Sequence, residues 1–200
     1  VKTLLRDRAP LALPDALLTA VVEAYAGADR AYHDVTHLLE VSEHFATVAR
    51  GPGWRAPNES YLALLFHDAV YLAGAKDNEA QSAELARNAL SAIACDRERV
   101  AALIMLTARH GRIDREELDE DARLFCDCDM AILGAAPERY DAYEAAIARE
   151  YALIPPPLFR AGRNAFLSAL LASPRIFLSD FFCDRLDARA RDNLRRAVRG

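Results

Sequence analysis

Apolar residues recur along this chain at three- and four-residue spacing, β-branched residues are thinly spread, and strict apolar/polar alternation is absent. That period predicts helix nearly throughout, in eight or so segments. One helix begins near Thr36 and runs to about Arg50, with Val41, Phe45 and Val48 inward. A second opens with Asn58 as its N-cap and continues through Tyr61, Leu62, Leu64, Leu65 and Phe66 to Tyr71. It is apolar almost all the way round, which predicts a buried central helix. A third starts near Asp77 and turns Ala83, Ala86, Leu90 and Ile93 inward, and a fourth is capped by Asp96 and stopped by Gly111. Further segments run from Leu118 to Leu133, from Pro137 onward, and after Pro155-Pro156-Pro157. The breaks, such as Gly51-Pro52-Gly53 and Gly74-Ala75-Lys76-Asp77, are too short to be interdomain linkers. The expectation is an all-α, single-domain helical bundle covering residues 1–200.

Composition changes this picture little but narrows the partners. With 52% apolar and 28% charged residues the chain is globular rather than disordered. A formal net charge of −5 disfavours nucleic acid and anionic membrane, so a small anionic ligand would need a local cation. Cys95, Cys126, Cys128 and Cys183 fit no zinc ribbon or finger, and buried reduced thiols are the expectation. Arg6, Asp7 and Arg8 interrupt the one N-terminal run that could resemble a signal peptide, and no stretch reaches transmembrane length. The expected location is therefore cytoplasmic. The arginine-rich tail (Arg185, Arg189, Arg191, Arg195, Arg196, Arg199) is interspersed with Asp184, Asp187 and Asp192 and reads as a solvated amphipathic helix. Tyr140, Tyr143 and Tyr151 read as core or pocket wall.

Candidate chemistry lies where polar residues fall on apolar faces. His67-Asp68 sits in the apolar second segment, and burying an imidazole beside a carboxylate costs several kcal/mol unless both find strong partners. A divalent cation is one partner that serves both, with mixed nitrogen and oxygen ligands. His37 precedes Val41 and Phe45 at four-residue steps, so its ring should face the core. His44 lies roughly 10 Å further along the same helix and cannot share an ion with His37. In Asp127-Cys128-Asp129, counting ~100° per residue places Asp129 within about 40° of Phe125 on the apolar face and Asp127 nearly opposite. The expected metal ligands are therefore His37, His67, Asp68 and Asp129, with Asp127 pointing outward.

The order of these residues, a histidine, then His-Asp, then a distant aspartate, resembles the HD superfamily. The match extends over Tyr32-His33-Asp34-Val35-Thr36-His37, Phe66-His67-Asp68-Ala69-Val70-Tyr71, Asp77-Asn78-Glu79, Ser82-Ala83, Thr107-Ala108-Arg109-His110 and Asp127-Cys128-Asp129 through Ile132-Leu133-Gly134. It continues through Tyr140, Tyr143, Glu150-Tyr151, Arg163, Ile176-Phe177 and Ala190–Leu194, nearly the whole chain. These segments are similar to the HD phosphohydrolases with a YHNxxH-type opening, with Asp34 standing where that pattern has Asn. The resemblance implies an all-α fold and metal-dependent hydrolysis of a phosphate ester or anhydride, with a divalent ion (Mn, Fe, Mg, Co, Ni or Zn) as cofactor. Asp68 would orient the attacking water or take its proton. Glu79 is a candidate general acid or a ligand through water, against a plain first-turn carboxylate. His33, His110 and Arg163 are candidates to bind substrate. Two of them have structural alternatives: for His110, bonding the free carbonyls before Gly111; for Arg163, pairing with Glu150 or another carboxylate. A small phosphorylated substrate, nucleotides included, is the expected partner, and monomer and homodimer are both open. A non-catalytic nucleotide-binding module and a di-iron oxidative HD enzyme are the competing readings.

Overall fold

Ten α-helices and no strand occur among the described residues, so the all-α expectation holds. The computed structural model describes residues 1–199; Gly200 and the side chain of Arg199, the last arginine of the tail, lie outside the described residues. Packing divides the chain into two compact units, Val1–His110 and Gly111–Gly200.

The first unit holds α1 (Lys2–Arg8), α2 (Asp15–Ala24), α3 (Val35–Arg50), α4 (Pro57–Phe66), α5 (Asn78–Ala89) and α6 (Arg97–Thr107). Its centre is α4, where every residue from Ser60 to Phe66 is buried. The helix packs against α3, α5 and α6, and each fully buried Leu or Phe contributes about 1.5–3 kcal/mol. The amphipathic α3 buries His37, Leu38, Val41, Phe45 and Val48 on one face, as its spacing predicts. Asp34 caps it, accepting from the backbone of Thr36 at 2.7 Å and His37 at 3.2 Å. A carboxylate in place of an amide keeps the cap and adds a charge that the helix N-terminus favours.

The ends of α4 differ from the expectation. Pro57 takes the first helical position after Ala56, so Asn58 lies inside the first turn instead of capping it. At the other end the helix stops at Phe66, short of Tyr71, and His67-Asp68 lies at its C-terminal end. The reason is that side chains from elsewhere take over the backbone groups beyond it. Tyr25 Oη accepts from Asp68 N at 3.2 Å, and Arg30 donates to the carbonyls of Asp68 and Ala69. Ser82 Oγ accepts from Val70 N and donates to Val70 O, while Asn78 bonds both backbone groups of Leu72.

The second unit contains α7 (Glu120–Met130), a 3₁₀ turn (Ala131–Gly134), α8 (Pro137–Glu150), α9 (Pro156–Ala172) and α10 (Asp180–Arg199). The last helix runs against the 3₁₀ turn so closely that a Cβ on Gly134 would stand 2.6 Å from Leu186 Cβ. Asn193 Nδ2 donates to the carbonyls of Leu133 at 2.8 Å and Ala135 at 2.9 Å. The tail is more than a solvated face: Arg191 bonds Asp187 and the carbonyls of Leu171, Ser173 and Pro174.

Asp127 corrects the helical-wheel expectation. It is buried, and its carboxylate accepts from Leu178 N at 2.8 Å, Ser179 N at 2.7 Å and Ser179 Oγ at 2.6 Å, just ahead of α10. Residues Leu124–Cys128 are all buried, so α7 has no outer face there for Asp127 to occupy. Asp127→Ala would leave those three donors without their acceptor. We expect a stability loss of about 3 kcal/mol in urea denaturation; an exposed carboxylate such as Glu138 changed to alanine should cost far less.

Candidate metal centre

Three side chains of the first unit converge at the end of α4. His37 comes from the first turn of α3, three residues after its Asp34 cap. His67 and Asp68 come from the turn in which α4 ends. His37 Nε2 and His67 Nε2 stand 3.0 Å apart. Asp68 Oδ2 is 3.1 Å from His67 Nε2 and 3.6 Å from His37 Nε2. Two ligands each about 2.1 Å from one ion stand about 3.0 Å apart at octahedral and about 3.4 Å apart at tetrahedral angles. The 3.0 and 3.1 Å edges match the spacing around a shared divalent ion, and the 3.6 Å edge is slightly longer than the tetrahedral one.

Protonation supports the same reading. His67 Nδ1 lies 2.8 Å from the Leu64 carbonyl, which can only accept, so Nδ1 donates to it and Nε2 is the nitrogen left facing His37 and Asp68. A ligand histidine whose other nitrogen is tied to a carbonyl is the usual outer support of a metal site. Burial pushes the Asp68 carboxyl up, but His67, His33 and His37 outweigh it and hold Asp68 well below the usual carboxylate range. Asp68 is thus ionised at neutral pH. Burial pushes the Tyr25 phenol up to about 12, so this neighbour stays a neutral hydroxyl.

His37, His67 and Asp68 form a group of the first unit that could hold a metal ion, and Asp129, the fourth ligand expected from the sequence, is half-buried on α7 of the second unit. Imidazole nitrogen and carboxylate oxygen together suit a first-row divalent ion. His33 is nearby: its Nε2 is 4.0 Å from Asp68 Oδ2, and its ring stacks on Tyr71 with centroids 4.1 Å apart.

The other candidates fall elsewhere. Glu79, half-buried in the first turn of α5, is outside the ligand group. His110 lies in the turn after α6, half-buried, and is likewise outside it. Arg163 has the carboxylate partner its apolar neighbours demanded, and that partner is Glu144 rather than Glu150. Its Nε donates to Glu144 Oε2 at 3.1 Å, and its Nη2 to Glu144 Oε1 at 2.7 Å and to Tyr143 Oη at 2.8 Å. Arg30 and Tyr25, which the sequence reading passed over, bond the His67-Asp68 turn directly; an arginine three residues before His33 was the available signal. All four cysteines are free, with Cys126 and Cys128 buried. No described helix is long and apolar enough to cross a membrane.

No protein-family model, curated protein or solved structure matches this chain. Fold and site define a helical protein with a buried histidine–aspartate group of metal-binding geometry.

His44, on α3 but outside the ligand group, gives a pH test. Burial holds its pKa below the ordinary value, with His37 acting the same way and Glu40 and Glu43 opposing. The unfolded chain therefore takes up this proton first as pH falls. Stability present above about pH 6.5 is lost as pH drops through the folded-state value. His44→Gln should flatten the stability–pH profile on the acid side of neutrality; an unchanged slope in urea titrations would remove His44 as its source.

Proposed function

We propose that this protein is a metal-dependent phosphohydrolase of the HD superfamily acting on a small phosphate ester or anhydride, nucleotides among the candidates. The observation that carries this reading is the buried His37–His67–Asp68 cluster, with edges of 3.0, 3.1 and 3.6 Å and His67 Nε2 turned into it. The sequence resemblance supplies the reaction class. A bound divalent ion would supply an acidified water and polarise a phosphoryl oxygen. His37, His67, Asp68 and Asp129 would hold it.

The chain's own residues supply the rest. Asp68, ionised and partly open to solvent, orients the attacking water and accepts its proton. His33, above Asp68 and stacked on Tyr71, is positioned to donate to a phosphate oxygen. Arg163 bonds Glu144 and Tyr143, so the charge facing the substrate would come from the ion. The four unpaired cysteines support a reducing compartment, the cytoplasm.

The test is phosphate release from a panel of phosphate monoesters, nucleotides and dinucleotides, with Mn²⁺, Mg²⁺, Co²⁺, Ni²⁺ and Zn²⁺ supplied separately. Release should need the ion and stop on chelation, while circular dichroism stays helical, because each unit has its own apolar core. Asp68→Ala should abolish both metal retention and release. Metal retained with no release from any substrate would overturn the catalytic reading in favour of a binding module.

A further inference from the structure

Arg30 lies in the loop between α2 and α3, and it bonds both the loop that leads into the His37 helix and the turn that carries His67 and Asp68. Its Nη1 donates to the His33 carbonyl at 2.7 Å and to the Asp68 carbonyl at 2.8 Å; its Nη2 donates to the Ala69 carbonyl at 3.1 Å. The guanidinium carbon stands 5.1 Å from the centre of the Tyr25 ring and 5.6 Å from that of Tyr71. Tyr25 in turn accepts from Asp68 N at 3.2 Å, with its oxygen 3.5 Å from His67 Nδ1. One side chain thus ties the loop bearing His33 to the turn bearing His67 and Asp68, across 38 positions of sequence.

The chemistry of the contacts explains why arginine serves here. Helix α4 ends at Phe66, and the carbonyls beyond it sit at the electronegative end of the helix, where a cation is favoured. Three carbonyls converge on the guanidinium, and its rigid fork of five N–H groups can meet them together. A lysine ammonium is a single point on a flexible stem and cannot span the same three acceptors in fixed geometry. The rings of Tyr25 and Tyr71 flank the cation, adding attraction and restricting its movement.

We infer that Arg30 is a positioning residue for the metal centre: by fixing the Asp68–Ala69 turn against the His33 loop, it sets the affinity of the His37–His67–Asp68 group for a divalent ion. The inference rests on the metal reading of that group, and it assigns Arg30 no contact with substrate. Residues that orient metal ligands from outside typically change metal affinity about 10–100-fold when replaced.

The test is calorimetric titration of Mn²⁺ alone into metal-stripped wild type, Arg30→Lys, Arg30→Met and Asp68→Asn, with the melting temperature of each metal-free protein measured alongside. Both Arg30 variants should bind Mn²⁺ about 10–100-fold more weakly than wild type while keeping the helical spectrum. A purely structural arginine would lower the metal-free melting temperature and leave the Mn²⁺ dissociation constant unchanged, and that result overturns the inference. Full wild-type affinity in Arg30→Lys overturns it as well, because charge alone would then suffice. Should Arg30→Met fail to fold, Arg30→Lys decides. If wild type itself binds no Mn²⁺ and Asp68→Asn behaves identically, the metal reading fails and takes the inference with it.

Discussion

Two imidazoles and a carboxylate occupy one small volume of the first unit, His37 and His67 essentially out of solvent and Asp68 only partly in it. Removing such groups from water costs several kcal/mol each unless every lone pair and proton finds a partner. The protein meets that cost in layers. The Leu64 carbonyl accepts a hydrogen bond from His67 Nδ1, the Asp34 cap fixes the start of the helix that carries His37, and the surrounding histidines keep Asp68 ionised. What remains turned inward is a set of donor atoms spaced as an ion would space them.

The turn after α4 follows from the same constraint. A helix continuing to Tyr71 would have satisfied its own backbone groups. Ending the helix at Phe66 exposes amide and carbonyl groups in a mostly buried place. Tyr25, Arg30, Ser82 and Asn78 supply the missing bonds. Side chains from three separate stretches of the first unit are therefore needed to shape one short turn.

The second unit handles its buried charges by pairing. Asp127 is neutralised in effect by three donors ahead of α10, and Arg163 by the bidentate Glu144 with Tyr143 beside it. Tyr140 donates to the same Glu144 carboxylate. Such closed networks are costly to break from one side, since removing a member leaves the others buried and unpaired. They account for the burial of Asp127, which the helical wheel placed outside, and for the carboxylate partner of Arg163.

Helical periodicity, which is local, was legible in the sequence. It predicted the all-α class, the inward face of α3 with His37 on it, and the break before Pro137. Residue order alone also singled out His37, His67, Asp68 and Asp129, because a buried polar residue on an apolar stripe is conspicuous without any knowledge of its neighbours. The wheel failed at Asp127, since it assumes that a helix has a solvent side, and α7 is covered all round from Leu124 to Cys128. It failed at the end of α4 because the groups that terminate that helix belong to residues up to 43 positions away. The same holds for the partner of Arg163 and for the place of Arg30. Periodicity is written into each segment, but the bonds that satisfy a buried charge or a free carbonyl join distant segments, and only the folded chain decides which ones meet.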